Sequence, residues 1–574
     1  MTQEPMAAMS QPTTMGAPSS STAEIEAAAV ALQRGADRLR KLSLAQRRKL
    51  LDDCIAGVTS QSHAWVERAC TAKSIPAGHP ARAEEIMTGP LSALRYLHLL
   101  DHSLLEIERY GQPRLPGRPY QRNGRLRVPV FPTPHLYDRL LFRPMRAETW
   151  MQAGVSAQNL FGSNIERVSG SGRSAGKIIA VLGAGNVSSI PITDTLSKLF
   201  QDGQSVLLKM NPVNEYLGPI FEQAFAALIQ QDLLRIVYGG AMVGTQLVQL
   251  SEVDAVHITG SDKTHDAIVW GSTAAERQSR KRTGDPLLKK QITSELGNVS
   301  PWIILPGKYS TRQLYFQAEN IVASIANNAS FNCIATKMLI TWQRWPQRKQ
   351  FLDQIESILT GIEPRSAYYP GAAQRYARFA GMTPPQTSSN RLPWTLLRDI
   401  DPRRQPHLFN EESFVCVCGE TAIQADTAET YLSRATTLAN DRMWGTLAVA
   451  LTVPRDLQRR PAGQLDKALG QLRYGTIGVN QWPGVAFALM SPPWGGFPGT
   501  TLEDVQSGIG TVHNTYLLNR PEKTVLSSPL TMSPKPMWFS THRAPEAVAW
   551  RLLELYQKPS LWRLPPVLVA ALRG

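Results

Sequence analysis

The sequence predicts an α/β protein of two or three domains, and three observations carry that prediction. The chain has 574 residues, beyond the size at which a single hydrophobic core keeps growing. From Gly176 onward, short apolar runs alternate with small-residue turns and helix-like stretches, the pattern of a parallel sheet with covering helices. After Cys333 a second alternation of the same kind begins. A composition of 43% hydrophobic and 19% charged residues is that of an ordinary soluble globular chain.

Residues 1 to 20, rich in Met, Gln, Pro, Thr, Ser and Gly, read as a disordered tail. A helix is expected from Ser21 to about Val58, with Thr22 as the cap before Ala-Glu-Ile-Glu. Another is expected near His63 to Ala72, and a longer one from Ala83 to about Tyr110. The Pro-, Gly- and Arg-rich interval from Gly111 to Ser174 reads as connecting and surface structure with short extended pieces such as RLRVPVFPTP. KIIAVLGAGNVSSIP then reads as a buried strand running into a tight turn, with a helix near Thr193 to Phe200. SVLLKMNPVNE, LLRIVYGG and VDAVHITGS supply further strands, separated by a helix from about Leu217 to Gln230 and followed by one near Lys263. This succession argues for a βαβ nucleotide-binding sheet, whose helix starts offer backbone amides to a pyrophosphate. GAGN alone is not the full GxGxxG fingerprint. Beyond a Pro/Gly/Arg-rich interval, Gly361 to Pro406, come the strand FVCVCGE and renewed alternation through Asn440 to Val453 and Gly475 to Asn480. SPPWGGFPGT, residues 491 to 500, is a shaped loop.

The formal charge of +15 is spread along the chain, densest at Arg280 to Arg282, Lys289-Lys290, Arg403-Arg404 and Arg459-Arg460. No aromatic residues interleave with the Arg280 group and no nucleic-acid motif surrounds it, so it reads as a solvated loop. The overall charge favours anionic ligands in general. Five irregularly spaced cysteines, Cys54, Cys70, Cys333, Cys416 and Cys418, indicate a reducing, cytoplasmic setting rather than a disulfide framework. Cys416 and Cys418 face one side of a strand, where packing and metal binding both stay open. The histidines show no zinc spacing. No basic-then-apolar leader opens the chain and no apolar run reaches roughly 18 residues, so no integral membrane association is expected. The closing LWRLPPVLVAAL reads as a docked tail, with a membrane-surface contact as the alternative.

Candidate chemistry concentrates between Gln291 and Ile340. SELGN puts a carboxylate, Glu295, at the end of a β-prone run and beside a glycine. NNASFNC puts Cys333 after a polar turn and before a strand at Met338 to Thr341, with a helix from Thr311 to about Asn327 in between. A lone cysteine among small polar residues suggests a reactive thiolate; a buried, inert thiol is the alternative. Glu295 is a base or water activator if the fold brings the two together, and a local cap or ion-pair partner if it does not.

Over about residues 175 to 520, these pieces and others in the same order resemble the aldehyde dehydrogenase superfamily, of which the chain is identified as a divergent member. SELGNVSP resembles the Glu-Leu-Gly-Gly-Lys-Ser-Pro signature, which implies a general base at Glu295. NNASFNCIA resembles the nucleophile segment and implies a catalytic thiol at Cys333. AGNVSSIP resembles the Pro-Trp-Asn-Phe-Pro turn, implying an oxyanion-binding amide at Asn186. QSVLLKMNP implies a contact from Lys209 to the adenosine ribose. TGSDK implies Gly260 and Ser261 at the pyrophosphate, and EESF implies Glu412 on the nicotinamide ribose with Phe414 bordering the ring. SPPWGGF resembles the late Pro-Phe-Gly-Gly loop. Ser330-Phe331 replaces the usual Gly-Gln before the nucleophile. Pro212 replaces the glutamate that would repel a 2′-phosphate.

The resemblance implies a Rossmann-like nicotinamide-cofactor domain, an α/β catalytic domain and a small oligomerisation strand arm. The cofactor domain, with N-terminal helices and the connecting region, would span 21–295 and the catalytic domain 296–485. Residues 486–514 would return to the cofactor domain, 515–530 would hold the oligomerisation strand of a homodimer, and 531–574 would form an extension with no family counterpart. The activity implied is oxidation of an aldehyde to a carboxylic acid with NAD or NADP, through a thiohemiacetal and a thioester on Cys333, with Glu295 activating the hydrolytic water. A coenzyme A-dependent acyl-CoA reductase and a non-catalytic cofactor-binding scaffold stay open as alternatives. The expected partners are a small aldehyde and a second copy of the chain, with no nucleic acid and no metal. Trp482, Phe487, Trp494 and Phe497 either line an apolar tunnel for a medium or long aliphatic or an aromatic aldehyde, or pack the domain seam.

Overall fold

The computed structural model describes residues 18–169, 176–384, 390–458 and 463–574. The tail expected over residues 1 to 20 lies outside them except for its end, where the Ser20 amide donates to the Tyr238 carbonyl. Arg459 and Arg460 lie outside them as well.

The single helix expected from Ser21 is two helices, Thr22–Lys41 and Leu44–Ala72, and the second absorbs the piece expected at His63. The cap is Ser21 rather than Thr22: Ser21 with Glu24, and Ser43 with Gln46, each close a capping box. A second box at Ser43 satisfies the amides of a new helix start, so the chain turns there instead of continuing. The next helix is broken too, into Arg82–Ile86 and Ser92–Tyr110 around a π-helical turn at Met87–Leu91 that holds Pro90.

Strands β1 (Tyr120–Arg122), β2 (Arg125–Phe131) and β3 (Arg146–Met151) arise from the interval expected to be connecting structure. Next come β4 (Lys177–Leu182), β5 (Gln204–Lys209), β6 (Leu234–Val237), β7 (Ala255–Gly260) and β8 (Gln291–Leu296). These five form a wholly parallel sheet in the order β6-β5-β4-β7-β8. Their near-continuous Ile, Val, Leu and Ala runs suit strands covered on both faces. On one face, Ile25, Ala28, Leu32 and Ala36 pack against Ile178, Ala180 and Leu207, each large side chain contributing roughly 1.5–3 kcal/mol of burial.

The second sheet takes β9 (Ser300–Ile304), β10 (Thr336–Trp342), β11 (Thr395–Leu397), β12 (Val417–Ile423), β13 (Ala448–Thr452), β14 (Thr476–Val479) and β15 (Pro521–Ser527). With the first three strands it makes a ten-stranded sheet, ordered β1-β2-β3-β15-β14-β13-β9-β10-β12-β11. The division expected between residues 295 and 296 therefore falls inside β8, and the crossing to the second sheet is Gly297 to Val299. Residues 111–174 contribute strands to the second sheet, not to the cofactor-side one.

The oligomerisation strand expected at 515–530 needs correction. It is β15, and both of its edges are taken within the chain, parallel to β14 and antiparallel to β3. A strand paired on both sides has no free amides or carbonyls to extend a partner's sheet. The strand expected at FVCVCGE starts later, at Val417, because Phe414 has a left-handed φ of 44°; Cys416 and Cys418 are buried in the core. The Arg280 group is helical, not a loop. It ends the helix Ala274–Thr283, where basic residues complement the dipole and Lys281 pairs with Asp266 at 2.8 Å. The closing tail is a helix, Leu564–Ala571, that buries Leu564 and Val567 and leaves the neighbouring Trp562 90% exposed. Among the described residues, no helix is long and apolar enough to cross a membrane.

Candidate active site

The order of the five-stranded sheet reverses beside β4, with β5 and β6 on one side and β7 and β8 on the other. At such a point the loops leave neighbouring strands in opposite directions and open a crevice at the carboxyl ends. A cavity of about 970 Å³ lies there. Its walls run from Leu182 at the end of β4 and Lys209 at the end of β5 to Gly260, Ser261 and Leu296, then across to the second sheet. All the nominated residues, Asn186, Lys209, Gly260, Ser261, Glu295, Cys333, Glu412 and Phe414, border this one cavity.

Cys333 is delivered by the helix Thr311–Ala326, which a Ser310–Gln313 capping box starts. After it the chain makes a strained approach: Asn328, Ala329 and Ser330 have φ of 53°, 54° and 69°. Left-handed non-glycine residues cost roughly 1–3 kcal/mol each and persist only where the surroundings hold them. Here the fully buried Lys337 donates to the Ser330 carbonyl (3.0 Å), the Ser330 hydroxyl (2.8 Å) and the Val415 carbonyl (2.8 Å). Asn328 Nδ2 donates to the carbonyls of Phe331 and Asn186, both at 2.9 Å.

The Cys333 sulfur stands 3.8 Å from Glu295 Oε1. Burial, then the charges of Glu295 and Glu412, push the thiol well above its ordinary value, with its own backbone N–H pulling the other way. Burial and the carboxylate charges both favour the protonated sulfur, the opposite direction to the reactive thiolate the sequence suggested. Burial first, and the Asp194 charge second, push Glu295 up to about 8. Its Oε2 is buried without a hydrogen-bond partner among the described residues. The late loop pins the strand that carries it, through Ser294 N to Ile509 O at 2.9 Å and Leu296 N to Ser507 O at 2.9 Å. Gly508 makes that approach possible. It has φ +116°, and a Cβ there would lie 2.0 Å from the Ser294 carbonyl oxygen.

Asn186 Nδ2 donates to the Phe331 carbonyl at 3.1 Å, beside the nucleophile. Its own carbonyl accepts from Lys73 Nζ (3.0 Å), Asn328 Nδ2 (2.9 Å) and the Tyr368 hydroxyl (3.1 Å). Lys73 is itself buried and paired with Glu85 at 2.7 Å. Sequence reasoning missed Lys73, Glu85, Asn328, Tyr368 and Lys337. Each acts through residues distant in the chain, and no local pattern marks them.

At the far end, Lys209 is buried and its Nζ reaches the Met210 carbonyl at 3.2 Å. Burial lowers its pKa and the nearby Glu215 partly offsets that. Gly244 lies across the cavity, where a Cβ would come within 3.7 Å of the Lys209 side chain. Glu412 is pushed up by burial and pulled back by Lys337, and its Oε1 is buried without a partner among the described residues. Its other oxygen lies flush against Gly297, where a Cβ would come within 2.1 Å.

On the opposite side of the thiol is a second, narrow space of about 80 Å³. Cys333 and Glu295 border both spaces. The walls of the narrow one are mostly apolar and include Trp482, Phe487 and Trp494. Phe497 is not among them; it lines another cleft, with Lys523 Nζ 5.0 Å from its ring centre.

Residues 181–362 match the family model described as the aldehyde dehydrogenase family. Over those residues the chain is similar to the aldehyde dehydrogenase family. Its fold is similar to that of the Mycobacterium tuberculosis aldehyde dehydrogenase solved with NAD+, at a TM-score of 0.58 and 17% identity over 90% of this chain and 92% of that one. Aldehyde dehydrogenase C of Pseudomonas syringae, solved as a variant with NAD+ and octanal, gives a TM-score of 0.59 and 15% identity, covering 90% of each. Glyceraldehyde-3-phosphate dehydrogenase of Methanocaldococcus jannaschii, solved with NADP, gives 0.58 and 14%, covering 89% of this chain and 96% of that one. No curated protein sequence matches the chain. Within this aldehyde dehydrogenase fold, Phe331 turns the unusual approach to the nucleophile into an aromatic cluster, its ring centre 5.1 Å from Tyr368, 5.8 Å from Tyr369 and 6.0 Å from Phe414.

Proposed function

We propose that the protein oxidises an aldehyde to a carboxylic acid with NAD or NADP, using Cys333 as nucleophile, Glu295 as base and Asn186 as oxyanion donor. One observation carries this reading: Cys333 Sγ and Glu295 Oε1, 3.8 Å apart, stand where a large polar-ended cavity meets a small apolar one. The residues fit a nicotinamide dinucleotide in the larger space. Lys209 and Glu412 present a buried cation and an unpartnered buried carboxylate oxygen, and Ser261 caps a helix whose first amides face the cavity end. Such a cofactor, when bound, supplies the hydride acceptor. No acidic residue stands at Pro212, so both cofactors are accepted, with NAD slightly preferred.

The chain's own part follows from the geometry. The Cys333 sulfur adds to the aldehyde carbon as its proton passes to solvent through the larger cavity, giving a thiohemiacetal. The Asn186 amide and the Cys333 backbone N–H receive the developing oxyanion. Once the thioester has formed, Glu295 Oε2 activates a water to release the acid and free the sulfur. A carboxylate within reach of the thiol supports hydrolysis over transfer to coenzyme A, which has no use for one.

A homodimer and a cytoplasmic setting belong to the same reading; the latter rests on five free cysteines. With β15 enclosed, a second copy would meet the chain at the open β1 edge, and light scattering decides between dimer and monomer. The mechanism is tested with Glu295→Gln. Rapid mixing with aldehyde and cofactor should show a burst of reduced cofactor close to the enzyme concentration, then turnover slowed about 10²–10⁴-fold, and an acyl adduct on Cys333 by intact mass. Normal steady-state hydrolysis would move the water-activating role elsewhere, and turnover that requires coenzyme A would replace the proposal with the acylating one.

A further inference from the structure

The extension 531–574 is tied to the active-site half at two places. Lys535 Nζ pairs with the buried Glu319 at 2.9 Å, on the helix that leads to Cys333, and Phe539 packs on Phe316 with ring centres 4.9 Å apart. Farther on, the helix Pro545–Gln557 is held by Arg82 to Glu546 at 2.9 Å and by the Tyr556 hydroxyl to Asp138 at 3.1 Å. Asp138 is itself bound twice by Arg95, at 2.7 Å each. Between these anchors stand Met537 and Trp538.

Those two residues border two spaces. One is the narrow chamber of about 80 Å³ that contains Cys333. The other is an outer cleft of about 1070 Å³ whose lining includes His79, Glu84, Lys349, Asp353 and Arg365. No other residue is common to the two linings among the described residues. A chamber of about 80 Å³ equals only about five to eight water-sized spheres, enough for a short alkyl chain and not for a long one. Trp538 Nε1 is buried without a partner among the described residues, so turning or trimming the indole breaks no hydrogen bond.

We propose that Met537 and Trp538 are the specificity-determining wall of the aldehyde chamber, so that the enzyme as built takes short, apolar, unbranched aldehydes. Behind this wall the outer cleft offers the room a longer chain needs. This rests on the aldehyde oxidation proposed above and narrows its substrate class. Shape selection in an apolar site is worth about 10–200-fold per methylene misfit, so the effect is measurable.

The test compares wild type, Trp538→Ala, Trp538→Phe and the exposed-site control Trp562→Ala with n-aldehydes from propanal to decanal. In parallel, Cys333 is alkylated with N-ethylmaleimide and with a long N-alkylmaleimide, followed by intact mass. Trp538→Ala should raise the decanal-to-propanal ratio of kcat/KM at least tenfold and raise the long-to-short alkylation ratio likewise. Trp538→Phe should move both ratios less in the same direction, and serves if the alanine variant does not fold. Trp562→Ala should move neither. Equal changes at every chain length, with an unmoved alkylation ratio, would overturn the wall. If no aldehyde is oxidised by wild type while the alkylation ratio still moves, the wall stands and the proposed function falls.

Discussion

The two sides of Cys333 are built differently. The cofactor-side cavity, about 970 Å³, is shaped mainly by strand ends and helix starts of one stretch, residues 182 to 297. The chamber, about 80 Å³, draws its walls from residues as far apart as Met87 and Tyr556. Backbone geometry serves the first, so many sequences can make it. The second depends on side chains from distant segments meeting, and is particular to this chain.

The largest expected effect removes the junction. Cys333→Ala should reduce aldehyde oxidation to background while cofactor binding, followed by intrinsic fluorescence, stays within a few fold. Loss of both would mean the two sides are not separable. Next, Asn186→Ala should lower kcat by about 10²–10³-fold with a smaller change in KM, since the amide acts on charge that develops only in the transition state.

Lys73→Met probes the support behind Asn186. It strands Glu85 in the core, and breaking such a buried pair costs about 3–5 kcal/mol, readable as a lower denaturation midpoint. The double change Lys73→Met with Glu85→Leu should recover most of that stability. It should not recover kcat, because the Asn186 carbonyl has still lost a donor. Full recovery of both would make the pair structural only.

The pH dependence is gentler. Glu295 ionises near about 8 in the fold against an ordinary 4.5, so the folded state favours its protonated form. Its contribution to stability is intact below about 4.5 and is lost as pH rises through about 8. Hydrolysis needs the ionised form and should rise over the same window. The Glu295→Gln variant should lack both trends. The smallest effect concerns the cofactor: discrimination between NAD and NADP should stay below about a thousandfold, roughly 4 kcal/mol, and a larger value would point to another acidic group.

The comparison also shows why some features were legible in the sequence. The βαβ strands announced themselves as apolar runs, and Glu295 sits on one of them, β8, while the polar NNASFNC marked a turn by its composition. The break at Ser43 was missed because leucines and alanines keep helical spacing across it, and only the capping box signals a restart. The interval 111–174 read as connection because β3, which holds β1 and β2 to the sheet, finds its outer partner in β15, several hundred residues away. The upward shift of the Cys333 thiol comes first from burial and then from the carboxylates Glu295 and Glu412, neither of which local composition reveals. Trp482, Phe487 and Trp494 were legible as chamber residues, but Met537 and Trp538 were not, since nothing near them in the chain resembles a site.

The position of β15 has a consequence for synthesis. It is the last strand made and yet sits inside the sheet, between β14 and β3. On the ribosome β3 emerges early and its open edge must wait for a partner several hundred residues away, tens of seconds at about 5–20 residues per second. Throughout that wait β2 and β3 form an unpaired ribbon of the kind that recruits other chains. A message truncated before Pro521 leaves that edge open for good, so such fragments should be recovered bound to chaperones or in aggregates.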